Sequence, residues 1–146
     1  MSRRNMVSVG IAIGIGAFVV APATAQQDVL QESASLFVSV GQHPEAVDAA
    51  EVSAELDRIV ASAPSDPYVL RMVALTRLSV ADNSETEGTR EQMSVDALAE
   101  FDRAVELAGP AAPARRVDVN GQSLDIDFSD ASEVRALMQA AVNETH

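Results

Sequence analysis

The sequence predicts a mainly α domain of about five antiparallel helices with one C-terminal β-hairpin, and three observations carry that reading. Apolar residues recur at steps of three and four in five separate stretches, each bracketed by capping or stop residues. Between 115 and 128 the period drops to two around an Asn-Gly pair, the strongest short-range hairpin signal. The chain has 146 residues, of which 47% are hydrophobic and 22% charged, so it is long enough and apolar enough for one core.

The N-terminal stretch is read as a segment for export. Met1–Asn5 carries Arg3 and Arg4 without an acid, Met6–Ala21 is apolar throughout, and Ala23-Thr24-Ala25 offers small residues where a signal peptidase needs them. This resembles a bacterial signal peptide, residues 1–25, cut before Gln26. Sixteen residues at about 1.5 Å each reach roughly 24 Å, short of a ~30 Å hydrocarbon core, so no stable membrane anchor is expected after cleavage. The string SRRNMV also resembles a twin-arginine signal, with Met6 where that family usually has Phe. Either route implies a periplasmic or secreted protein, with residues 26–146 as a single domain.

Each element has its own punctuation. Val29, Leu36, Phe37 and Val40 mark a helix over Asp28–Gly41. Pro44 opens the next, with Asp48 and Glu51 as a capping box, Val52, Leu56, Ile59 and Ala63 as its stripe, and Pro64 as its stop. Asp66-Pro67 starts a third helix, since Asp caps orphan amides and Pro at the first helical position loses no hydrogen bond. Its stripe is Leu70, Val73, Ala74, Leu78 and Ala81. Ser84–Gly88 reads as a loop. Thr89 with Gln92 then caps a fourth helix, with Met93, Ala97, Phe101, Ala104 and Ala108 on one face and Gly109-Pro110 at its end. In the hairpin, 115–128, a two-residue turn at Asn120-Gly121 sets Val119 opposite Gln122, Val117 opposite Leu124, and Arg116 opposite Asp125. Asp130 with Glu133 caps the last helix, 130–143, whose stripe is Val134, Leu137, Met138, Ala141 and Val142.

Composition excludes several function classes. There are 22 acids against 10 bases, all of them Arg, for a net charge of −12; removing 1–25 leaves −14 on 121 residues. No nucleic acid or anionic surface is expected as a partner. The absence of cysteine removes disulfides, thiol nucleophiles and Cys-ligated metals.

The segment ALAEFDRAVELAGP resembles the second helix of a tetratricopeptide repeat, with Ala97, Phe101 and Ala104 on the family's small, large and small positions. Pro64 would close an earlier repeat, which places Leu70, Val73 and Ala74 on the large, apolar and small positions of the next first helix. Two degenerate repeats result, within about 33–110. The first departs from the pattern at Val40, His43, Val52 and Ile59, and the second carries about a dozen extra residues after Asp82. Two repeats seldom suffice alone, so the hairpin and last helix, or a second chain, must cap them. The resemblance implies a scaffold or adaptor that binds another protein or peptide. Its groove would be lined by Ala34, Phe37, Tyr68, Arg71 and Leu75.

Candidate chemistry is sparse, and no enzyme is expected. No phosphate-binding glycine loop, G-x-S-x-G elbow or H-E-x-x-H helix occurs. His43 has no second His or Cys nearby in sequence to complete a metal or nucleophile set, and His146 is terminal. No cofactor and no metal site are expected from the motifs. The alternative function is a small-ligand or Ca²⁺-binding role for the acidic hairpin, through Asp118, Asp125, Asp127 and Asp130, although their spacing fits no EF-hand loop.

Overall fold

Asp66 and Pro67 start the helix around which the others are arranged. The structure is a computed structural model that describes residues 22–145. Its elements in chain order are α1 (Pro22–Gln42), a 3₁₀ turn (Pro44–Ala46), α2 (Ala49–Ser62), α3 (Pro67–Asp82), α4 (Glu87–Ala108), β1 (Arg115–Val119), β2 (Gln122–Ile126) and α5 (Ala131–Glu144). The fold is therefore mainly α, with five helices and one antiparallel hairpin. Met6–Ala21 lies outside the described residues. The expected processing point after Ala25 falls in the first turns of α1, ahead of Leu30, the first buried residue among the described side chains. Among the described residues, no helix is long and apolar enough to cross a membrane.

The local signals set the element ends. The Asp48 carboxylate accepts from the amides of Ala50 and Glu51, and that of Asp66 accepts from Tyr68 and Val69, so both caps form as their residue types dictate. Pro44 opens only the 3₁₀ turn, and α2 begins five residues later behind Asp48. Gly109 closes α4 at φ 72°.

Three expectations are corrected. The fourth helix begins at Glu87, not after Thr89; Thr86 stands at its cap and Glu87 places a carboxylate at the positive end of the helix dipole. Among the described side chains of α1, Leu30, Ser33 and Ala34 are fully buried and Val40 nearly so, while Phe37 is only half-buried. In α5 only Met138 is fully buried, and Leu137, about 100° round the helix from it, is 64% exposed.

The core has three parts. The first joins α1, α2, the start of α3 and the hairpin through Leu30, Leu56, Ile59, Val69, Val117 and Ile126. Val40, Val80, Ala81 and Met93 form the second, and Ala74, Ala97, Phe101 and Met138 the third. All three contain residues of α3. Eleven of its sixteen residues are buried.

The hairpin has the register read from the sequence. Val117 pairs with Leu124, Val119 with Gln122, and Arg116 with Asp125, whose carboxylate accepts from the guanidinium at 3.0 Å. Asn120 and Gly121 have φ of 53° and 82°, as a type I′ turn needs. Two glutamines of α1 hold β1: Gln27 donates to the carbonyl of Arg116 and Gln31 to that of Asp118. Four helical residues rise about 6 Å and two strand residues about 6.6 Å, so the two spacings match.

Candidate functional site

The residues carried over from the repeat resemblance do not form an exposed face. Ala34 is fully buried, Tyr68 is 8% and Arg71 9% exposed, and Phe37 and Leu75 are half-buried against the first and third core clusters. The physical reason is the place of α3. A three-, four- and seven-residue spacing puts Tyr68, Arg71 and Leu75 on one side of the helix, but neighbours cover α3 on nearly every side.

Tyr68 and Arg71 instead pack against Phe128, which lines a groove. The Tyr68 hydroxyl donates to the carbonyl of Pro113 at 2.5 Å, which ties the start of α3 to the linker before β1. Its ring meets Phe128 edge-on, centroids 5.7 Å apart, and the Arg115 guanidinium lies over the same ring, 5.0 Å from its centroid, while also reaching Asp66 and Gln27. Arg71 sits 5.7 Å from both the Phe101 and Phe128 rings, the geometry of a cation–π contact. Its guanidinium donates to Asp130 Oδ2 at 3.2 Å.

That ion pair explains a further correction. Asp130 precedes α5 at the cap position but makes no side-chain cap. A buried cation without a partner is costly, and a bond between two opposite charges outweighs one from a carboxylate to an uncharged amide, so the carboxylate turns to Arg71.

Phe128 lines an open, mainly apolar groove with Val105 at the end of α4 and with Pro110 and Ala112 of the linker. Glu106 and Asp127 stand along it. Asp127 accepts from both the amide and the hydroxyl of Ser129, at 3.0 and 2.8 Å, and these two bonds hold its carboxyl below the ordinary carboxylate range. It is ionised at neutral pH. Nothing in the local sequence marks this groove, because Gly109-Pro110 and Phe128 are brought together by the return of the hairpin.

The remaining hairpin acids are each engaged. Asp118 accepts from Ser123, Asp125 from Arg116 and Asp130 from Arg71. Among the described residues no group of three or more His, Cys, Asp or Glu side chains converges to hold a metal ion. His43 is exposed beside Glu45.

Two further ion-pair networks lie elsewhere and join helices. Arg77, 3% exposed, donates to both carboxylate oxygens of Glu100 and to Asp57, joining α2, α3 and α4. Burial pushes the Glu100 carboxyl up, and Arg77 offsets part of that rise. Arg58 bridges Glu32 and Glu55 between α1 and α2, and burial likewise raises Glu32.

Compared with models of protein families, with curated proteins and with solved structures, the chain matches none. The functional reading therefore rests on the geometry above.

Proposed function

We propose that the protein is an exported, non-catalytic binding module whose groove over Phe128 takes a short extended segment of another protein. The observation that carries this is the pairing of a mainly apolar groove with two carboxylates along it, Glu106 and Asp127. An apolar side chain of the segment packs on Phe128 and Pro110, and a neighbouring Lys or Arg meets the acids. The net charge of −14 on residues 26–146 favours such a basic partner over distance and makes binding weaken as salt rises. The resemblance to tetratricopeptide repeats supports a helical scaffold role, with the contact surface moved from the face of α3 to the linker and hairpin. The N-terminal signature supports export. Intact-mass analysis tests that part: a mature form beginning at Gln26 is expected, and a membrane-bound form retaining Met6–Ala21 would overturn it.

Selection of short random peptides on phage, followed by fluorescence anisotropy of the enriched sequence, tests the groove. The enriched peptides should carry an apolar residue beside Lys or Arg. Ala112→Arg, which fills the groove with a cation, should weaken their binding roughly tenfold or more without unfolding the domain. Asp127→Asn should weaken it less and reduce its salt dependence. Equal binding to wild type and Ala112→Arg, or no enriched peptide, would refute the reading.

A further inference from the structure

A second opening lies at the far end of the bundle, where three helix ends meet: the C-terminal ends of α3 and α5 and the N-terminal turns of α4. It is a cleft of about 190 Å³, lined by Asp82, Glu87, Arg90, Ser94, Ala141 and Glu144. At ~30 Å³ per water it holds about six waters, and it falls below the ~300–1,000 Å³ of pockets for drug-sized ligands. Only a small molecule fits.

Its polar groups are unmatched in two ways. Ser94 is 1% exposed, yet its hydroxyl has no hydrogen-bond partner, and the buried Nε of Arg90 has none either. Buried polar groups in native proteins are nearly always paired, so two unpaired ones lining one cleft point to a missing partner. They are four residues apart on α4 and therefore share a face. Both can donate hydrogen bonds. On the other side, Asp82 and Glu144 are the last residues of α3 and α5, where the helix dipoles disfavour negative charge, and neither helix has a basic residue in its last turn. Burial and the charge of Glu144 push the Asp82 carboxyl above its ordinary range. Among the described residues, Arg90 forms no ion pair with either acid. The cleft thus presents the two unused donors of α4, with Glu87 one turn before Arg90 on the same helix, and two uncompensated carboxylates contributed by the ends of α3 and α5.

We propose that this cleft binds a small zwitterion of the α-amino acid class, its carboxylate against Arg90 and Ser94 and its ammonium against Asp82 and Glu144. A bare divalent cation fits less well, because these acids do not converge as a ligand set and a cation leaves the donors of Arg90 and Ser94 unmet. A simple anion is repelled by the three carboxylates. A ligand with both charges satisfies both sets of groups. The inference is independent of the groove over Phe128, which lies among other residues.

Thermal melting of the full domain with each of the common L-α-amino acids tests it, with acetate, putrescine, the amino acid methyl esters and Ca²⁺ as controls. At least one amino acid should raise the melting temperature by about 5 °C or more at a hundredfold excess over its Kd, and its methyl ester should not. Ser94→Ala is the informative variant: its hydroxyl has no internal partner, so the apo protein should melt like wild type or slightly higher, while amino acid affinity falls. Arg90→Gln should weaken binding at least tenfold. No response to any amino acid would overturn the proposal. So would a response to putrescine or Ca²⁺ that matches the amino acid's, or a Kd unchanged by both Ser94→Ala and Arg90→Gln.

Discussion

Helices α3 and α5 carry similar apolar stripes in the sequence and have 16 and 14 residues, yet eleven residues of α3 are buried and only Met138 of α5 is. The difference lies in what surrounds them. Helix α3 packs against α1, α2 and α4, so its polar positions are covered as well as its apolar ones. Arg71 and Arg77 then stay inside because Asp130, Glu100 and Asp57 meet them. Helix α5 rests mainly on α4, and one side chain anchors it. A stripe reports which way a helix faces; how many neighbours cover it is a property of the whole fold.

Removing a charge from inside α3 should have the largest effect. Arg77→Ala leaves Glu100 buried without its cation, and unfolding by denaturant should show a loss of about 3–5 kcal/mol at neutral pH. The deficit has a predictable pH dependence. Glu100 titrates above its unfolded value, so its ionisation costs stability as pH rises through that window, and loss of Arg77 pushes it higher still. The deficit should therefore shrink as pH falls below neutral and the carboxyl takes up a proton in the folded state. A deficit that grows on acidification would mean that the pair is not buried as described.

Met138→Ala should come next, at about 2–5 kcal/mol, since it opens a cavity against Ala74, Ala97 and Phe101. Hydrogen exchange should show α5 loosening before α3. If α3 loosens equally, the two helices are one cooperative unit and the contrast fails.

A smaller loss, about 1 kcal/mol or more, is expected for Gly121→Val. A Cβ there meets open space, so the effect is purely the φ of 82° that a β-branched residue resists. A variant that melts like wild type would rule out the turn geometry. Leu137→Ala should change stability by no more than about 0.5 kcal/mol, because the side chain is already 64% exposed. A larger loss would show that α5 is covered by something else in solution.

The elements that were legible depend on residues within a turn of one another. Asp66-Pro67 starts a helix because the cap and the missing amide act within three residues, and Asn120-Gly121 fixes the hairpin register because both tolerate positive φ. The Arg116–Asp125 pair followed from that register alone. By contrast, the carry-over of Tyr68, Arg71 and Leu75 to an exposed groove rested on facing without depth. Asp130 has the local signature of a cap, and its rival partner, Arg71, is 59 residues away in the chain. Neither opening was visible at all: the groove needs Phe128 to meet Pro110 and Ala112, and the cleft needs Asp82, Arg90 and Glu144 to meet at three helix ends.

The sequence by itself determined five helices, their order, the hairpin and its register, since periodicity, caps and turn residues act over a few positions of chain. Tertiary structure alone decided that α3 is the centre, that two arginines lie inside, and that the openings sit at the linker and the helix ends. Burial, pairing and cavities arise between residues that the chain keeps far apart, and only packing brings them within reach of one another.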